Sequence, residues 1–278
     1  MTKAFLSPAE ITETTINNGI DKANRSFLSL LMLSILAGIY IGFGAHAYFT
    51  ITQAAGSLNA GIAKFLGGAV FPIGLLLVAV AGGELFTGNC LMTMSLMDRK
   101  ISAAGLLRNW IIVYIGNFIG SIILAKALVF SNAYAPGSLI ADTAFSVATS
   151  KISQSAPQIL VKGILANMLV CLAVWLACGA QDIGSKVVAI WFPVMTFVMV
   201  GFEHSIANMF FLPVAKFAGL EITWSQIWFN NIIPSTIGNI IGGGIIIPIM
   251  YYLAYRKPKA NITAKTAKLN SLMKKQSA

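Results

Sequence analysis

Charged residues are scarce in this chain. They make up 10% of its 278 residues, whereas hydrophobic residues make up 57%, and an ordinary soluble domain carries about 25% charged residues. The composition is therefore far from that of a soluble domain. The short alternating strands of a membrane barrel are also lacking in the sequence, so backbone groups within lipid must be satisfied inside helices.

Six regions are apolar enough to cross a bilayer as helices, for which about 20 residues are needed. These regions are about 27–49, 60–97, 105–130, 159–180, 187–216 and 226–255, with a break inside the second and the fifth. Little of the chain is left for a soluble domain. We predict an all-α polytopic membrane protein with six transmembrane helices.

Only three cysteines occur, Cys90, Cys171 and Cys178, all within predicted spans. Cys171 and Cys178 lie about two turns apart on one helix, which is too far for a disulfide. We expect free thiols that pack as small apolar groups. The sequence contains no paired-cysteine metal motif, no His-Glu-x-x-His and no serine placed beside a base in a recognisable catalytic arrangement. It therefore predicts no metal, no other cofactor and no enzyme activity.

The basic residues are unevenly distributed along the chain. Seven of the 19 Lys and Arg residues lie in the tail at 256–278. If both termini are cytoplasmic, most of the positive charge lies on the inner side, as the positive-inside rule requires. The net charge of +10 thus reflects membrane orientation and does not indicate a nucleic-acid partner. This distribution fits a bacterial or archaeal plasma membrane.

We expect no cleavable signal at the N-terminus, because residues 1–26 lack a short apolar core beside a cleavage site. Ser7-Pro8-Ala9-Glu10 is typical of a capping box that begins a helix. We predict a cytoplasmic amphipathic helix within 1–26, a six-span domain at 27–255 and a basic cytoplasmic tail at 256–278.

Two matching octets interrupt apolar stretches in the two halves of the chain. Residues 82–89 read Gly-Gly-Glu-Leu-Phe-Thr-Gly-Asn, and residues 201–208 read Gly-Phe-Glu-His-Ser-Ile-Ala-Asn, at an offset of 119. Ionisable residues inside a membrane are expensive and usually functional. Interrupted spans at corresponding positions of two halves are typical of a permeation site.

A second motif repeats at nearly the same offset. Ile-Gly-Asn-Phe-Ile-Gly at 115–120 matches Ile-Gly-Asn-Ile-Ile-Gly at 237–242. Because each half holds three spans, the halves at about 27–130 and 159–255 must form an inverted repeat. The glycines favour close helix packing. Asn117 and Asn239 fit either helix-to-helix hydrogen bonding or lining of the pathway.

The breaks suggest how the site works. A helix that restarts after a break points free N–H groups at the membrane centre and favours anions there. Thr87, inside the first break, can add a hydroxyl donor. Glu84 and Glu203 would repel anions, which favours a structural role for both. His204, opposite Thr87 in the repeat scheme, is the candidate functional residue, because histidine exchanges protons near neutral pH.

At these motifs the chain resembles the formate/nitrite transporter family. The resemblance covers essentially the whole chain and implies an aquaporin-like fold, one pore in each protomer and a ring-shaped homopentamer. It also implies permeation of small monovalent anions, namely formate, nitrite or hydrosulfide. The octet at 82–89 looks closer to the nitrite and hydrosulfide branches than to the formate branch.

The resemblance also implies roles for individual residues. It implies a pore centre formed by Thr87, His204, Glu203, Asn167 and Asn239. It implies that Lys151 lies in a vestibule. It also implies apolar constrictions formed by Phe71, Leu75, Leu85 and Phe197. We expect the vestibule to draw in an anion and the dry constrictions to oppose it. Between them, His204 would hydrogen-bond the permeant or pass it a proton.

Other kinds of transport remain open. A proton-coupled symporter of the same anions suits a histidine relay equally well. An aquaporin-like neutral-solute channel shares the broken-helix plan, but Asn89 and Asn208 are not followed by Pro-Ala. An ammonium channel would be expected to pair two pore histidines, and only His204 lies deep in a span.

Overall fold

The computed structural model describes residues 3–54 and 59–256, so all of the predicted tail except Arg256 lies outside the described residues. The helices in chain order are α1 (Pro8–Asn24), α2 (Phe27–Thr52), α3 (Ala60–Val70), α4 (Ile73–Leu76), α5 (Phe86–Asn89), α6 (Thr93–Met97), α7 (Ala103–Phe130), α8 (Leu139–Ile152), α9 (Ala156–Gly179), α10 (Ile183–Met199), α11 (Ser205–Phe217), α12 (Trp224–Ile227), α13 (Ile233–Asn239) and α14 (Ile247–Tyr255). Wider helical turns at Leu77–Gly82, Trp228–Ile232 and Ile240–Ile246 continue α4, α12 and α13.

The predicted all-α membrane architecture is confirmed. Among the described residues, five continuous helices are long and apolar enough to cross a bilayer, namely α2, Ala60–Gly82, α7, α9 and Trp224–Tyr255. The remaining predicted span consists of two shorter helices in tandem, α10 and α11, with 17 and 13 residues. The fifth span is thus broken between α10 and α11. The second predicted span is broken between Gly82 and Phe86, where α5 begins, as the octets predict.

Small residues bring the long helices together within each half. In the first half α7 packs on α2, and a Cβ added at Gly120 would lie 2.0 Å from the carbonyl oxygen of Ile35. In the second half the last span packs on α9, and a Cβ at Gly242 would lie 2.1 Å from the carbonyl oxygen of Ile164. The motif glycines are thus required by close backbone approach.

The repeat includes one more helix in each half than its three spans. The Glu84 N–H donates to the Leu33 carbonyl at 3.1 Å, and the Glu203 N–H donates to the Lys162 carbonyl at 3.4 Å. The two acceptor residues, Leu33 in α2 and Lys162 in α9, are 129 positions apart in the sequence. The same offset relates α1 to α8. The helix α8, which carries Lys151, is absent from the sequence-based prediction.

The N-terminal helix α1 begins at the predicted capping box, where Glu10 accepts a hydrogen bond from the Ser7 N–H at 2.9 Å. The hydrogen bond from the Lys3 ammonium, together with those from Ser7, lowers the pKa of Glu10 to about 2. The carboxylate therefore stays ionised well into the acidic range, and the cap persists there.

Candidate functional site

In each broken span the first helix ends at or near a glycine, and three residues separate this glycine from the first residue of the next helix. Gly82 has φ +98° and Gly201 has φ +76°, the left-handed conformation that glycine adopts without strain. The restarting helices begin at Phe86 and Ser205. The breaks therefore come from the backbone conformation of equivalent glycines.

Asn117 and Asn239 hold the two breaks in the same way. The Phe86 N–H donates to Asn117 Oδ1 at 2.9 Å, and the Ser205 N–H donates to Asn239 Oδ1 at 2.9 Å. The amide of Asn117 donates to the Glu84 carbonyl at 2.8 Å and to the Ser34 carbonyl at 2.7 Å.

The second asparagine makes matching bonds to the Glu203 carbonyl at 2.9 Å and the Gly163 carbonyl at 2.8 Å. Asn167 supports it by donating to the Asn239 carbonyl at 2.7 Å. Of the two interpretations left open for Asn117 and Asn239, these bonds favour helix-to-helix hydrogen bonding. Both side chains are fully buried and engaged by the protein.

The Glu203 carboxylate is buried and neutralised by Lys151. The Lys151 ammonium lies 3.1 and 3.0 Å from its two oxygens. Asn208 and Asn231 also donate to it, at 2.6 and 3.1 Å, and Asn208 donates further to Asn231 Oδ1 at 2.6 Å. The carboxylate thus fixes the break and balances Lys151, which explains how an acidic side chain can lie beside an anion path.

The Glu84 carboxylate has an equivalent set of partners in the first half. Lys22 and Asn89 donate to it at 2.8 and 2.7 Å, and Asn89 donates to Asn109 at 2.8 Å. Arg25 lies 3.2 Å from its second oxygen. Lys22 is not among the site residues predicted from the sequence, although the sequence contains one signal for it. A lysine precedes the capping serine of the following helix by four residues in both halves, at Lys22 and at Lys151.

Thr87 and His204 meet between the two breaks. The Thr87 hydroxyl oxygen lies 2.8 Å from His204 Nε2, and both side chains are buried. His204 Nδ1 accepts the Ala207 N–H at 3.1 Å and so caps α11. Because Nδ1 is an acceptor, the proton of a neutral ring lies on Nε2 and is donated to Thr87. The Thr87 hydroxyl hydrogen is then free to point at a permeating group.

A cavity lies on each side of this pair. The one that contains Lys151 has a volume of about 430 Å³, and the one that contains Lys22 has about 460 Å³. We call them the outer and inner vestibules, after the predicted orientation. The outer vestibule is also lined by Lys64 and Lys162, and the inner one by Arg25 and Lys186. Both vestibules are therefore rich in positive charge.

The vestibules are separated by the four predicted constriction residues. Phe71 and Phe197 line the outer vestibule, with ring centroids 5.8 Å apart, whereas Leu75 and Leu85 line the inner one. All four also line, with His204, a central cavity of about 10 Å³. Such a space is about what one water molecule needs, so an ion must lose most of its water to pass.

Metal chemistry finds no support in the described residues. Among them, no group of three or more His, Cys, Asp or Glu side chains is placed to hold a metal ion. The polar groups at the centre are a threonine and a histidine aimed at each other. The arrangement suits hydrogen bonding to a small polar permeant.

The formate/nitrite transporter family model matches residues 9–253 of the chain. A probable formate transporter of Methanothermobacter thermautotrophicus is 40% identical, over 92% of this chain and 100% of the relative. Among solved structures, a pentameric formate channel with formate bound aligns with TM-score 0.75 and 35% identity, over 83% of this chain and 98% of that one. An FNT family ion channel aligns with TM-score 0.82 and 29% identity, over 90% and 99%. The predicted hydrosulfide branch is not distinguished by these similarities and stays a prediction.

Proposed function

Because the chain belongs to the formate/nitrite transporter family, we propose that it conducts small monovalent weak-acid anions across the membrane, with formate as the leading candidate. The relatives named above are a formate transporter and a formate channel, and nitrite and hydrosulfide are the further candidates. We place the protein in a bacterial or archaeal plasma membrane with both termini cytoplasmic. The pentameric state of the solved relative supports a homopentamer in which each protomer has its own pore.

The observation that carries this proposal is the buried pair of Thr87 and His204 between two apolar constrictions. The ring donates through Nε2 to Thr87 at 2.8 Å, which leaves the hydroxyl hydrogen of Thr87 free for a permeating group. A permeating carboxylate or nitrite can accept that hydrogen, whereas the surrounding wall of Phe and Leu side chains gives it nothing else. The pair therefore provides one donor at the narrowest point.

The constrictions select for weak acids. A charged permeant that leaves water for an apolar ring loses its hydration at high cost. The same loss favours the protonated, neutral form of a weak acid. Formate can take a proton and pass the rings as formic acid, whereas chloride, the anion of a strong acid, cannot. The central pair needs only to offer a hydrogen bond, because the proton is supplied from solution.

Geometry favours a hydrogen-bonding role for His204 over a proton-carrying one. Protonation at Nδ1 would remove the acceptor that the Ala207 N–H now uses at 3.1 Å. A charged ring would therefore cost the cap of α11 as well as a buried charge. In this proposal His204 stays neutral during permeation and orients Thr87.

Flux through the purified protein in liposomes tests the proposal. Formate, nitrite, hydrosulfide, chloride and the neutral solute glycerol are compared across pH. We expect the weak acids to pass faster than chloride and glycerol, and their uptake to rise as the outside becomes more acidic. Equal passage of chloride without pH dependence would indicate a plain anion channel, and passage of glycerol an aquaporin-like one.

A further inference from the structure

The inverted repeat is followed closely in the supporting clusters and broken around Thr87. In the register defined by the backbone bonds, His204 corresponds to Leu85, and Thr87 corresponds to Ile206. On the helices behind them, Asn167 corresponds to Gly38 in the same way. His204, Thr87 and Asn167 are thus polar residues whose counterparts in the other half are not polar.

One more residue of this kind is Cys171, whose counterpart is Gly42. The thiol is fully buried on α9, behind the break that carries Thr87. Its Sγ lies 3.4 Å from the carbonyl oxygen of Thr87 and 3.5 Å from that of Gly243, with Asn167 Oδ1 at 3.9 Å. The thiol therefore contacts two other segments, the first restarting helix and the last span.

The glycine at 243 makes this contact possible. A Cβ there would lie 2.6 Å from the Cys171 sulfur and 2.1 Å from the Asn167 amide nitrogen. The corresponding residue of the first half is Ser121, which hydrogen-bonds the Gly38 carbonyl at 3.4 Å. The second half therefore has its side chains on α9 and its glycine on the last span, the reverse of the first half. That exchange directs a thiol toward Thr87.

We propose that Cys171 is a positioning residue for permeation, which holds the Thr87 backbone so that its hydroxyl meets His204. This inference rests on the proposed function, because it concerns the donor that the permeant meets. The thiol donates weakly to the Thr87 carbonyl and fills the space behind it. A displaced Thr87 carries its hydroxyl away from Nε2, and the permeant then meets a poorly oriented donor.

The test measures the ratio of formate to chloride flux for Cys171→Ala, Cys171→Ser and Thr87→Ala, and for the double variant of Cys171→Ala with Thr87→Ala. We expect Cys171→Ala to lower the ratio about fivefold, because it removes one hydrogen bond that positions the Thr87 backbone. Cys171→Ser keeps a donor and should stay within about twofold. In the Thr87→Ala background, Cys171→Ala should have no further effect, because the hydroxyl it positions is gone.

Ser121→Ala is the matched control, since it removes the corresponding buried bond of the first half, 3.4 Å long and with no contact to Thr87, and should leave the ratio unchanged. The inference is overturned if Cys171→Ala matches the wild type, or if its effect multiplies with that of Thr87→Ala. Should Cys171→Ala not yield folded protein, the decision passes to Cys171→Val in both backgrounds, which also removes the thiol donor and must lower the ratio only when Thr87 is present. A wild type that does not prefer formate to chloride would instead overturn the proposed function.

Discussion

The carboxylate clusters of the two halves have nearly the same bonds, whereas the pore centre between them does not. Glu84 and Glu203 are each buried and held by a lysine and an asparagine that leads to a second asparagine. At the centre, by contrast, Leu85 of the first half faces the path where the second half has His204.

The difference separates support from selectivity. Two copies of one scaffold can fix two breaks, and that task requires the same donors and acceptors in each. A permeant passes a single centre, however, and one oriented donor there is enough. Residues that obey the repeat are therefore expected to affect stability in pairs, and residues that depart from it are expected to affect which anion passes.

Replacement of a buried carboxylate should have the largest effect on stability, and the effect should differ between the two halves. Glu203→Leu leaves the Lys151 ammonium unpaired, with 15% of its side chain exposed, and should cost about 3 kcal/mol or more. Glu84→Leu should cost less, because Lys22 is 28% exposed and can be hydrated. The midpoint of thermal unfolding in detergent gives the order. The half-exposed Glu13, paired with Arg256, is the control, and Glu13→Gln should shift the midpoint little.

Replacement of the break asparagines should have the next largest effect. Asn117→Leu and Asn239→Leu each leave a buried N–H without its side-chain acceptor, which should cost about 1–3 kcal/mol. Because one break carries Thr87 and the other His204, both variants should also lower the ratio of formate to chloride flux. If only one of them lowers the ratio, the two breaks do not contribute alike to the centre.

The two cluster lysines should differ in flux at low substrate. Lys151→Gln leaves Glu203 uncompensated in the outer vestibule and should raise the half-saturating formate concentration by about threefold to tenfold at low salt. Lys22→Gln should act less from the inner side, because Arg25 still lies 3.2 Å from Glu84. The measurement is initial uptake into vesicles of each orientation. Added salt should weaken both effects, and an effect on maximal flux alone would contradict this role.

The smallest expected effect is at the contact between the halves. Tyr114 and Thr236 occupy equivalent positions and meet at 2.8 Å, and the Thr236 hydroxyl already donates to the Ile232 carbonyl. Tyr114→Phe should therefore cost about 1 kcal/mol of stability and leave both flux and selectivity unchanged. A change in selectivity would mean that this contact sets the geometry of the centre.

The sequence predicts the spans and both breaks because their causes are local. Apolar length sets the spans, and the octets at 82–89 and 201–208 carry their own glycine, glutamate and asparagine. The two motif offsets, 119 and 122, are close enough to reveal the repeat. The register brings the two breaks together and the family resemblance assigns His204 and Thr87 to one pore centre, and the structure places them in contact.

Other parts of the site depend on contacts that no local pattern indicates. Equivalent residues of α2 and α9 are 129 positions apart, which differs from the motif offsets of 119 and 122. The motif offsets therefore do not reveal that α1 and α8 are equivalent, nor that Lys22 has the same role as Lys151. Lys22 also fits the polar face of an amphipathic helix, which is how α1 was interpreted. Cys171 fits a small apolar packing residue, and only the approach of Gly243 and the Thr87 carbonyl gives it another role.

The central claim is that His204 selects the permeant by orienting Thr87, and formate and chloride flux across pH in His204→Asn tests it most directly. Asparagine can still cap α11, so this variant keeps the helix start and removes the Nε2 donor, whereas His204→Phe loses both. The account predicts that His204→Asn folds as the wild type does but loses most of its preference for formate over chloride. An unchanged preference for formate over chloride in His204→Asn would contradict it.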